Sequence, residues 1–163
     1  MVALTLYLDQ NYLSGFAKDK PAFRELLPVL RAAVARAVVA VVESPVHEVE
    51  SAPRPDLGLL ELLRTLSGGR RLPDAPDLEL RRRMEWTIAR ELPERAARSS
   101  DAADLDALAL AVTHCDLVTC DAFMADVLRR MRVPCELYTG RRADVNALRY
   151  RLQRAMPSPP TGS

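Results

Sequence analysis

Leu4-Thr5-Leu6-Tyr7-Leu8-Asp9-Gln10-Asn11-Tyr12-Leu13 is the segment on which the fold turns. Residues 2–8 alternate and are rich in β-formers, and the run stops at an acid whose followers open a helix. A second run, Asp116-Leu117-Val118-Thr119-Cys120-Asp121, closes on an acid in the same way. Strand ends that lead into helices predict an open α/β sheet, and ligands bind at the carboxyl edge of such sheets. Two carboxylates delivered to one edge are therefore the main functional clue.

Working outward, Pro21 opens a helix over 21–36 with Leu26, Leu27, Leu30 and Val34 on one face. Val38 to Val42 is a short continuous apolar run, the pattern of a buried parallel strand. Ser44-Pro45 predicts an N-cap and the first position of a short helix that ends before Pro53. Residues 57–66 predict a helix stopped by Gly68-Gly69, and 70–77 a loop. Residues 78–98 are helical with a break or kink at Pro93, and Ser99-Ser100-Asp101 caps a helix running to about His114. The remainder predicts strand 117–119, helix 121–131, strand 133–138 and helix 143–155. Residues 1–156 are read as a single domain and 157–163 as a disordered tail. Strands alternating with helices imply a parallel sheet with helices packed on it, and right-handed crossovers bring helix N-termini to its carboxyl edge.

The chain of 163 residues is 48% hydrophobic and 28% charged, with a net charge of +1, an ordinary globular composition. No apolar run approaches the roughly 20 residues needed to span a bilayer. No basic segment precedes the first strand, so no signal peptide is expected and the reading is cytoplasmic. Cys115, Cys120 and Cys135 lack metal-ligand spacing and read as reduced thiols. Lysine occurs only at Lys18 and Lys20, so the positive charge is almost all arginine, whose fork suits phosphate oxygens.

Asp9, Glu48, Glu50, Asp101, Asp104 and Asp121 all fall at the carboxyl edge by this topology. Two unit charges 4 Å apart repel by about 4 kcal/mol at an effective dielectric of ~20. Such a set must take up protons or hold a hard cation. Mg²⁺ commonly uses one or two carboxylates together with water and phosphate. The pattern therefore points to a metal site for phosphate chemistry.

The same segments carry a resemblance. Leu8-Asp9-Gln10-Asn11, Ser44-Pro45-Val46-His47-Glu48-Val49-Glu50, Asp104-Leu105-Asp106-Ala107-Leu108 and Leu117-Val118-Thr119-Cys120-Asp121 occur in that order over residues 4 to 131. Together they resemble the PIN-like domains, metal-dependent ribonucleases common in toxin–antitoxin pairs. The resemblance implies a three-layer α/β/α fold and hydrolysis of single-stranded RNA with Mg²⁺ or Mn²⁺. It implies that Asp9, Asp104 and Asp121 hold the metal and that Glu50 binds metal or orients water. The Ser44 spacing favours Glu50 over Glu48, and the family pattern favours Asp104 over Asp101. The spacing from Asp104 to Thr119 is about one residue shorter than the commonest pattern, and the chain between Pro53 and Arg98 is longer than in small toxins.

Asn11 and Thr119 are expected to hydrogen-bond the carboxylates, and His47 to orient Glu50 or contact RNA. Tyr12 and Trp86 offer stacking surfaces, with the core, beside Ile88 and Leu92, the favoured place for Trp86. Arg81, Arg82, Arg141 and Arg142 are candidate phosphate contacts. The implied partners are RNA, an antitoxin protein and a second copy of the chain, with Leu57, Leu59, Leu60, Leu62, Leu63 and Leu66 as an apolar stripe that a partner or the core would cover. The competing reading is a catalytically silent PIN-like scaffold that binds RNA or protein. Receiver and haloacid-type phosphotransfer domains fit poorly, because no lysine follows Lys20 and no Asp-x-Asp follows the first strand.

Overall fold

The computed structural model describes residues 3–45, 47, 58–73, 75, 77–95 and 101–158, with the side chains of 95 and 101–104 outside the description. The tail from 159 onward and the helix expected after Ser44, beyond Pro45 and His47, also lie outside it. Among the described residues, four strands, β1 (Leu4–Tyr7), β2 (Val39–Val42), β3 (Leu117–Thr119) and β4 (Glu136–Tyr138), form one parallel sheet in the order β2-β1-β3-β4. Tyr7 stands opposite Val42 on one side and Val118 on the other, and Thr119 opposite Tyr138.

Among the described residues, seven α-helices cover the sheet: α1 (Gln10–Ala17), α2 (Pro21–Ala35), α3 (Leu59–Ser67), α4 (Leu78–Glu91), α5 (Asp101–His114), α6 (Ala122–Arg130) and α7 (Arg142–Ala155). Strand side chains alternate between the faces. Leu6, Leu8, Val39, Val41, Leu117 and Tyr138 join a core with α1, α2, α3 and α7. Tyr7, Val42, Val118 and Cys120 join a second core with α4, α5 and α6. The fold is thus a three-layer α/β/α sandwich. The leucine stripe of α3 is used inside it, since Leu59, Leu63 and Leu66 are buried in the first core.

Several boundaries differ from the sequence reading for local reasons. The last strand starts at Glu136 rather than Val133, because Arg132 is left-handed at φ 55° and Pro134 has no N–H to donate. Three helices end in the same hydrogen-bonded turn. Lys20 N–H reaches Gly15 O, Val38 N–H reaches Ala33 O, and Val133 N–H reaches Leu128 O. The left-handed residue in each is Asp19, Ala37 or Arg132, not glycine. The helix from 78 stops at Glu91, and Pro93–Arg95 is a 3₁₀ turn. Trp86, expected in the core, is 60% exposed. Residues two apart on a helix face nearly opposite ways, and here Met84 and Ile88 take the inward side.

At the outer edge of the sheet, the Glu136 carboxylate accepts from the Tyr138 hydroxyl at 2.9 Å and from Arg151 Nε at 3.0 and 3.1 Å. At the other edge, Glu43 extends β2 by a single parallel bridge to Arg71.

Gly15 marks the closest helix approach on the first face. A Cβ there would meet the Phe23 ring at 2.7 Å, and that ring is wedged edge-on against Tyr12 and Phe16. Alanine in place of a helical glycine ordinarily gains about 1 kcal/mol, but overpacking costs about 1–3 kcal/mol. Gly15→Ala is therefore expected to lower stability by up to about 2 kcal/mol in a denaturant titration, against the helix-propensity trend.

Candidate active site

The sheet order places β1 next to β3, while β1 connects toward β2 and β3 toward β4. Strand order therefore reverses between β1 and β3, and the crevice beyond their carboxyl ends is the topological switch point of the sheet. Asp9 and Asp121 are the residues delivered there. They line one cleft of about 350 Å³ together with Tyr7, Asn11, Leu108 and Cys120.

Each acid is fixed by the helix it opens. Asp9 is the N-cap of α1, where Oδ1 accepts from Tyr12 N–H at 3.2 Å. Asp121 is the N-cap of α6, where Oδ1 accepts from Met124 N–H at 2.7 Å. Capping and site formation are one arrangement here, since the positive ends of two helices stabilise both carboxylates. Thr119 adds a link between the strands. Its buried hydroxyl accepts from Asp9 N–H at 2.8 Å and donates to Asp9 Oδ1 at 2.9 Å. Asp121 Oδ2 has no hydrogen-bond partner among the described residues.

Both acids act on the thiol between them. Burial first, then the negative fields of Asp9 and Asp121, pushes Cys120 up. Burial likewise pushes Cys115 up to about 12 and Cys135 up to about 11. The three cysteines are free and stay protonated near neutral pH, so no thiolate nucleophile is present among them.

Other expected residues are placed as follows. Asn11 is exposed and lines the cleft, but among the described residues it bonds no carboxylate. Glu48 and Glu50 lie outside the described residues, as do the side chains of Asp101 and Asp104. The backbone of Asp104 belongs to α5, one turn before Ala107 and Leu108 of the cleft wall. Among the described residues no group of three or more His, Cys, Asp or Glu is placed to hold a metal ion. Asp9 and Asp121 supply a pair of oxygen donors, a number with which Mg²⁺ is commonly bound.

Three assignments need correction. Tyr12 does not present a stacking surface: it is fully buried and its hydroxyl donates to Thr139 O at 2.6 Å. Burial, then Asp9 and Asp144, pushes the phenol up. Three residues into a helix laid on the sheet, an aromatic ring points inward. His47 is also fully buried and cannot contact RNA. Its Nδ1 accepts from Ser44 N–H at 3.0 Å, so Nε2 carries the proton that it donates to Leu8 O at 2.6 Å. It also stacks on Tyr7 at 5.1 Å. The ring thereby fixes the peptide that precedes Asp9. Arg81 is held by Glu85 at 3.1 Å and by Asp106 of α5, and so is not available as a phosphate contact. Arg82, Arg141 and Arg142 are exposed.

Two acids near the edge escaped the sequence reading. Glu43 directly follows β2, but its carboxylate accepts from Ser67 at 2.6 Å on the α3 side of the sheet. Asp144, in the first turn of α7, accepts from Thr139 N–H at 2.8 Å and its hydroxyl at 2.6 Å. It sits inside a helix rather than at a strand end, so the strand-end pattern passes over it.

No family model matches the chain, and neither a curated protein nor a solved structure is significantly similar to it.

Two outcomes are expected from this geometry. Thr119→Val leaves the Asp9 N–H without its partner and is expected to cost about 1–3 kcal/mol in urea unfolding, with Thr119→Ser much less affected. Burial pushes His47 below its ordinary 6.5, so the ring stays neutral when folded, while the unfolded chain takes up a proton below that value. Stability therefore falls as pH drops through 6.5 and levels out only below the folded-state value. Urea midpoints should decline between about pH 7.5 and about pH 5.5, and His47→Gln should flatten that slope.

Proposed function

We propose that this chain is a metal-dependent endoribonuclease of the PIN-like kind, hydrolysing phosphodiester bonds of single-stranded RNA with Mg²⁺ or Mn²⁺. One observation carries the reading: Asp9 and Asp121 end neighbouring strands at the switch point and open on one cleft. Asp104, with its backbone on the α5 stripe that lines the same cleft, and Glu50 complete the proposed set.

Asp9, Asp104 and Asp121 would hold the cation, with Glu50 as a further ligand or a water-orienting base. Bound there, the metal supplies a more acidic water and neutralises charge growing on the phosphate. The chain's own contribution is placement. The N–H groups of Tyr12 and Met124 and the Thr119 hydroxyl hold the two carboxylates in position before any ligand arrives, which avoids the entropy of ordering them later. Cys120 stays a neutral thiol beneath them and adds no competing nucleophile.

The test is cleavage of a labelled single-stranded RNA pool in Mg²⁺, Mn²⁺ or EDTA, with Asp9→Asn and Asp121→Asn variants verified as folded by circular dichroism. Cutting that requires metal and drops on the order of 100-fold or more in each variant is expected. A wild-type protein that neither cuts RNA nor binds Mn²⁺ sinks the reading and leaves a scaffold.

A further inference from the structure

Trp86 is the single tryptophan of the chain, and it stands on the outer face of α4, away from buried Met84 and Ile88. A spacing of four residues aligns Leu78, Arg82, Trp86 and Arg90 in one exposed ridge along that face. The Arg90 guanidinium lies over the Trp86 ring at 4.8 Å from its centroid, a cation–π contact. Arg82 makes no ion pair among the described residues, and Glu85, an exposed acid next to Trp86 in sequence, is engaged by Arg81. The other acids of this helix are Glu79, in its first turn, and Glu91, which pairs with Arg130.

Most tryptophans are largely removed from water. Here the ring stays in solvent with a cation one turn before it and another one turn after it. A flat base that takes the place of the Arg90 guanidinium on the ring frees that cation for one phosphate while Arg82 meets another, which is how single strands are held without regard to sequence. A duplex keeps its bases stacked inward and cannot use the ring in this way.

The ridge also leads to the candidate active site. Leu92, at the end of α4, lines a pocket of about 590 Å³ with Phe123, Arg129 and Arg141, and the pocket's two acids, Asp126 and Asp144, are engaged by Arg130 and Thr139. Ala122 of that pocket directly follows Asp121 of the cleft. Six residues of helix from Trp86 to Leu92 advance about 9 Å.

We infer that the Arg82–Trp86–Arg90 ridge is a platform for single-stranded RNA, stacking one base on Trp86 and leading the strand across the Leu92 pocket to the cleft. The inference rests on RNA being the substrate of the cleft, and its test is independent of cutting. A short oligouridylate is titrated in EDTA while Trp86 fluorescence is followed, with a labelled oligouridylate and anisotropy for the variants. Saturable quenching is expected from the single strand and not from duplex RNA. Trp86→Ala is expected to weaken binding by roughly 5- to 150-fold, the loss of one base stack, and Trp86→Phe to recover part of it. Arg82→Ala and Arg90→Ala should each flatten the slope of log K against log salt by about 0.7. Duplex RNA quenching as well as the single strand, a protein ligand quenching in place of RNA, or a folded Trp86→Ala variant binding as tightly as wild type would each overturn the platform. Binding at the ridge without metal-dependent cutting fails the nuclease and keeps the platform. Cutting at unchanged KM by Trp86→Ala protein fails the platform and keeps the nuclease.

Discussion

The reciprocal bond between Thr119 and Asp9 closes the top of the β1–β3 pair. One hydroxyl accepts from the Asp9 main chain and donates to its side chain, at 2.8 and 2.9 Å. The hydroxyl is buried, so Thr119 cannot exchange these bonds for water without opening the sheet. Everything at the carboxyl edge is referenced to it. α1 starts from the Asp9 cap, α6 starts from the Asp121 cap two residues after Thr119, and the cleft lies between those two starts. His47 braces the same point from the β2 side through Leu8 O, and Tyr12 braces it toward β4 through Thr139 O.

This bracing separates two jobs that polar residues often share. The groups nearest the two acids, Thr119, Tyr12, His47 and Cys120, are buried and satisfied, or held neutral, and so set geometry without adding charge. The charge in the cleft is left to the carboxylates. The crevice is thus lined by two ordered acids with no basic side chain among its described lining residues.

The sandwich and its two strand-end acids were legible because short β-rich runs stop at an acid and give way to helical patterns. An alternating run ends at Asp9, a short continuous apolar run ends near Asp121, and the helices between carry apolar stripes. What failed to show has local physical causes. The turns at Asp19, Ala37 and Arg132 use left-handed non-glycine residues, so the usual stop signal was missing. Tyr12 and Trp86 were both read by residue type, yet direction around the helix decided their fate: one turned under the sheet and the other into water. His47 carries two ring nitrogens that either a ligand or the main chain can use, and only the fold shows that the main chain has both. The choice between Asp101 and Asp104 is not made by helical spacing, since both fall on one stripe of α5.

The guarded β4 edge bears on assembly. An open parallel edge is normally an invitation for another chain to add a strand. Here the exposed border is three residues long, and Glu136 at its start is locked to Tyr138 and Arg151. A second copy adding a strand there would find few main-chain groups to pair with and a charged clasp at its threshold. Growth of the sheet into a continuous filament by strand addition at this edge is thereby discouraged.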